Sequence, residues 1–110
     1  MNYREEVQFW LDALRKGTQQ HRAALGYVDE YTKEGGLTLK DIGTTKAELE
    51  KCRVLGCKVN AQFWLDALRK GTQQHRAALG YVDEYTKEGG LTLKDIGTTK
   101  AELSSFKQVA

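Results

Sequence analysis

Proline is absent from the 110 residues, and sulfur is scarce, with two cysteines and one methionine. Without proline no helix carries an obligatory break, so punctuation falls to the eleven glycines. Two cysteines are too few for a disulfide-stapled scaffold. An excess of one charge is missing too: seventeen Lys and Arg against fifteen Asp and Glu leave +2, too little to imply a nucleic-acid partner by itself. No apolar run approaches the roughly 18 residues of a membrane span, so no membrane partner is expected. The opening Met1-Asn2-Tyr3-Arg4-Glu5-Glu6 has acids where a secretory signal has an apolar core, which makes the cytoplasm the expected location. A glycine-rich phosphate loop, a Ser/His/Asp set and metal-spaced carboxylates are lacking as well. The expectation is a protein that is not an enzyme, with no catalytic residue, no metal site and no cofactor.

What the chain does have is a repeat. Residues 62–103 reproduce residues 8–49 without one change, leaving only 1–7, 50–61 and 104–110 unique. A chain built mostly from two copies of one unit reads as a dimer written on a single chain. Identity this complete has two sources, very recent duplication or deliberate design. One copy is marginal for an independent core, whereas two together are comfortable. The expected organisation is one compact domain, 1–110, with the copies joined by a linker over 50–61.

Within the first copy, Val7, Trp10, Leu14, Gly17, His21, Ala24, Val28 and Tyr31 step by alternating threes and fours. This is the seam of an amphipathic helix, and it predicts helix over Tyr3–Lys33. Whether Gly17 breaks that helix stays open, since glycine in a helix costs about 1 kcal/mol relative to alanine. Glu34-Gly35-Gly36 supplies the stop. The second seam is expected to start at Asn60, a good N-cap residue, and runs through Trp64, Leu68, His75, Val82 and Tyr85. Two long helices with matching seams are expected to pack on each other about a pseudo-twofold axis. Trp10, Leu14, His21, Val28 and Tyr31, with Trp64, Leu68, His75, Val82 and Tyr85, are then the packing residues, and the two histidines read as core residues with hydrogen-bond partners. Arg53–Val59 suits an extended stretch as well as a helix continued through Gly56. Cys52 and Cys57 read as reduced, partly buried thiols. A zinc set of both with His21 and His75 is arithmetically available, but the histidines are isolated in sequence.

Two capping signals follow the glycines. Thr38-Leu39-Lys40-Asp41 is a capping box with Asp in place of Glu, and Thr45-Lys46-Ala47-Glu48 is a standard one. The stretch Leu39-x-Asp41-Ile42-Gly43-x-Thr45-x-x-Glu48-Leu49, repeated as Leu93, Asp95, Ile96, Gly97, Thr99, Glu102 and Leu103, resembles the YjiS-like family of small bacterial proteins, a domain of unknown function. The upstream helix is less basic than that family's usual pattern. Some relatives are regarded as small regulators acting on RNA, and the resemblance implies that role as a second reading.

The stretch Arg15-Lys16-Gly17-Thr18-Gln19-Gln20-His21-Arg22 lies in an acid-free window between Asp12 and Asp29. On a continuous helix Lys16, Gln19 and Arg22 share a face beside Arg15, suited to RNA or DNA phosphates, with Arg69, Lys70, Gln73 and Arg76 as the second footprint. The bland alternative is a solvated face with local ion pairs. Taken together, the residues predict an all-α helical bundle, a pseudo-twofold single-chain dimer of two identical helical units. Its expected role is structural or in protein–protein interaction. Its first partner is itself, through pairing of the copies or a domain-swapped oligomer.

Overall fold

The computed structural model describes residues 2–108. Five α-helices follow one another: α1 (Tyr3–Lys16), α2 (His21–Glu34), α3 (Lys46–Lys70), α4 (His75–Glu88) and α5 (Lys100–Lys107). No strand occurs among the described residues, so the chain is all-helical. It divides into two compact units, Met1–Gly56 and Cys57–Ala110, with the boundary inside α3.

In the first unit, Asn2 caps α1 by accepting the Glu5 N–H at 2.9 Å. Glu5 and Glu6 occupy the first turn, and Arg15 and Lys16 the last, the charge order that a helix dipole favours. Gly17, at φ +82°, ends the helix, and its N–H bonds the Leu14 carbonyl at 3.1 Å. Thr18 Oγ1 accepts from the Gln20 N–H at 3.1 Å, and α2 starts at His21. The helix predicted over Tyr3–Lys33 is therefore a helical hairpin, and the two halves of its seam face each other. Val7, Leu11 and Leu14 of α1 pack with Ala24 and Val28 of α2, Ile42 and Cys52.

The expected pair of long helices lying seam to seam is corrected here: each seam closes on itself. The reason is the cost of a naked stripe. Each leucine buried fully contributes about 1.5–3 kcal/mol. The break is placed where glycine had already weakened the helix by about 1 kcal/mol.

The second unit repeats the arrangement. Gly71, at φ +81°, separates the last part of α3 from α4. Ala61, Leu65 and Leu68 pack with Ala78, Val82 and Ile96, and Leu103 and Phe106 of α5 close over them.

Helix α3 departs furthest from expectation. Residues 50–61, read as a joining segment, are helical throughout. Asn60 is not an N-cap but a buried residue in the middle of α3. Gly56 is also internal to that helix, and the place its Cβ would take is filled by Cβ and Cγ of the buried His21. Here the His21 side chain lies against the backbone of α3, which only glycine permits.

The stop after α2 matches expectation. Gly36 takes φ +61°, and the Leu37 N–H reaches back to the Thr32 carbonyl at 2.9 Å.

Candidate functional site

The motif from Thr38 to Glu48 is a structural junction. Thr38 and Asp41 form the reciprocal box: Thr38 N–H donates to Asp41 Oδ2 at 2.9 Å, and Asp41 N–H to Thr38 Oγ1 at 3.1 Å. Hydrogen bonding from the Thr38 N–H first, and from its hydroxyl second, holds the Asp41 carboxyl below its ordinary value. The single turn they cap carries Ile42 into the core. Its carbonyls are taken by α1 side chains, Asp41 O by Arg4 and Ile42 O by Gln8, each at 2.8 Å. Thr45 caps α3 by accepting the Glu48 N–H at 3.1 Å.

The Glu48 carboxylate does not complete that second box. It turns instead to Arg15, which donates from Nη2 at 2.7 Å and from Nε at 3.1 Å, and to Thr44 Oγ1 at 2.6 Å. The same guanidinium donates to the Gly43 carbonyl at 2.8 Å. The second unit repeats the clasp with Arg69, Glu102, Thr98 and Gly97 O, at 2.7 Å for the Arg69–Glu102 pair. Hydrogen bonds from Arg69 first, and Thr98 second, hold the Glu102 carboxyl down to about 2. Glu48 is lowered by the same two kinds of partner.

This geometry redistributes the residues named for phosphate. Arg15 and Arg69 are engaged in the clasps. Lys16 ends α1, Gln19 lies in the turn and Arg22 opens α2, so the continuous face that was to unite them is broken. Lys70, Gln73 and Arg76 are split across Gly71 in the same way, and all six remain exposed.

Of the seam residues, Leu14, Val28, Leu68, Val82 and His21 are buried. Trp10, Tyr31, Trp64, Tyr85 and His75 are half-buried at the margins. His21 and His75 thus differ although their sequence surroundings are the same: His21 lies under Gly56, within its own unit. Neither cysteine is in a disulfide, and both are buried. Burial chiefly raises the Cys52 thiol, and the Cys57 thiol donates to Glu88 Oε2 at 3.0 Å.

The half-buried rings lead to a surface that sequence reasoning missed. In the first unit five aromatic side chains form one continuous ladder across α1 and α2. Tyr3 stacks on Tyr31 with centroids 6.1 Å apart, and Tyr31 on Tyr27 at 5.8 Å. Tyr27 stacks on Trp10 at 4.8 Å, and Trp10 meets Phe9 edge to face at 5.1 Å. The ladder is open to solvent, with Phe9 58%, Tyr3 46% and Tyr27 39% exposed. The second unit carries four of the five rings: Tyr85, Tyr81, Trp64 and Phe63, with Phe63 45% and Tyr81 39% exposed. The i, i+4 spacing of Tyr27 and Tyr31 was the available signal. The register that sets Trp10 against Tyr27 exists only once the chain folds back at Gly17.

A smaller cleft of about 360 Å³ in the second unit is lined by Leu79, Gly80, Val82, Asp83, Thr86, Leu93, Leu103 and Lys107. Its one acid, Asp83, is paired with Lys87 at 3.1 Å. No described helix is long and apolar enough to cross a membrane. No protein-family model, curated protein or solved structure matches the chain.

Proposed function

We propose that this is a non-enzymatic helical protein with a protein–protein interaction role, and that the aromatic ladder of each copy is its docking face. One observation carries the reading: a continuous array of stacked rings in the same place in both copies, with Phe9, Tyr3 and Tyr27 of the first and Phe63 and Tyr81 of the second 39–58% exposed. Exposed rings occurring singly are ordinary, but a contiguous patch marks an interaction site. Trp and Tyr dominate the binding energy of interfaces because they bury large, rigid area at low entropic cost. Repetition of the face adds the avidity available to any two-site ligand.

The RNA- or DNA-binding reading, which the family resemblance also suggests, draws less support. Its strongest cations, Arg15 and Arg69, spend their donors on carboxylates and carbonyls. The rest of the basic stretch does not lie on one face.

The test is selection of displayed peptides against the chain, followed by affinity measurement on a Phe9→Ser/Tyr27→Ser/Phe63→Ser/Tyr81→Ser variant with unchanged helical circular dichroism. Selected peptides that lose binding to the variant support the reading. Peptides that bind it undiminished, or a selection that yields none, would overturn it.

A further inference from the structure

We infer that the first unit's ladder takes a Lys/Arg-rich segment of a partner protein; the inference rests on the docking face proposed above. The two copies differ at this face although the repeated block is identical. Tyr3 and Glu6 lie before the repeat, and the second unit has Cys57 and Asn60 at those positions, both buried. Only the first unit therefore has the fifth ring and a carboxylate from the helix opposite Tyr31. Glu6 follows Tyr3 by one helical turn on α1, and Glu30 and Glu34 follow Tyr27 and Tyr31 by one turn on α2, the i, i+3 spacing that sets side chains on one face. Their charge is felt there: after burial itself, Glu6, Glu30 and Glu34 are among the groups that raise the Tyr31 phenol above its ordinary value. Glu34's counterpart in the second unit, Glu88, accepts a hydrogen bond from the Cys57 thiol.

Two cations of the same helices are engaged elsewhere. Arg4 donates to the Asp41 carbonyl at 2.8 Å, and Lys33 pairs with Asp29 at 3.1 Å. The face thus combines ring surface with a negative rim, and both attract the same partner. Lysine and arginine stems pack along apolar rings while their heads stay polar. Their charge is drawn to ring faces and to carboxylates alike. A nucleic-acid phosphate would be repelled by the rim.

The experiment is fluorescence anisotropy of three labelled peptides of equal length, one Lys/Arg-rich, one Glu-rich and one uncharged and apolar, together with a single-stranded RNA. Each is titrated with the full chain at low and high salt. The basic peptide is expected to bind best and to weaken with salt. Glu6→Gln/Glu30→Gln/Glu34→Gln should weaken it about tenfold, as expected when three exposed charge pairs are lost together. Phe9→Ser/Tyr27→Ser should also abolish it, whereas Glu84→Gln on the second unit should leave it within about twofold. If the apolar peptide binds best and the triple Gln variant retains it, the basic partner is refuted while the docking face stands. RNA bound in preference to the basic peptide also refutes it. If no ligand binds, the inference and the docking reading fall together.

Discussion

Gly56→Ala is the substitution on which the packing argument depends most. In an exposed helix interior, exchanging glycine for alanine stabilises by about 1 kcal/mol. Gly26 is such a site: it is exposed, and nothing lies within 4 Å of where its Cβ would be. Gly56 is also helical, but an added methyl meets the Cβ and Cγ of His21, the root of a ring that is 1% exposed. That root cannot swing aside as the end of a long side chain could. Overpacking of this kind costs about 1–3 kcal/mol. Taking the upper end and subtracting the propensity gain leaves a net loss of about 2 kcal/mol. In a unit of this size it lowers the melting temperature by about 10 °C, against a rise of about 4–8 °C for Gly26→Ala. The assay is urea and thermal unfolding followed by circular dichroism, with His21→Gly as the second arm, since alanine would keep the Cβ that the methyl meets. Removing Cβ and ring together should make Gly56→Ala far less costly, a coupling of about 1 kcal/mol or more between two touching sites. If Gly56→Ala proves as stabilising as Gly26→Ala, or if His21→Gly fails to relieve it, the close approach of His21 to α3 is wrong.

Other outcomes follow from the same contacts. The Glu102 carboxyl, held at about 2 against an ordinary 4.5, contributes stability that is complete above pH 4.5 and is lost as pH falls towards 2. Glu102→Gln should flatten that stretch of a stability–pH curve, and an unaltered curve would count against the clasp. Leu65→Ala, at a position 1% exposed, should cost about 2–5 kcal/mol in denaturant titration. Cys52 and Cys57, 5% and 0% exposed, should react with a thiol reagent at least about 100-fold more slowly in the native protein than in urea. Equal rates would contradict their burial.

Local chemistry was the part of the fold legible beforehand. The glycine stop after α2, the Thr38–Asp41 box and the buried Leu14 and Val28 all follow from spacing and capping rules that act within a few residues. The hairpin was not decided, because a heptad seam runs in register through Gly17 whether the helix continues or folds back. The choice depends on where the stripe finds a partner, which is a tertiary question. Asn60 shows the same limit: a residue suited to a cap sits inside a helix when the preceding turns are helical and packed. The clasp was hidden by distance, since Arg15 was read against local ion pairs or phosphate while Glu48 lay far along the chain. The ladder was hidden because the Trp10–Tyr27 pairing is created by the turn.

The turn at residues 17–20 also bears on how the chain folds without confusion. α2 and α4 have the same sequence, so α1 meets two chemically equal partners during folding. Its own lies across residues 17–20, the other across residues 17–74. The longer closure is disfavoured by about 2 kcal/mol of chain entropy. Helix pairs closed by short loops also form in microseconds to milliseconds. Proximity along the chain, where side-chain identity offers no discrimination, directs each copy to its own half.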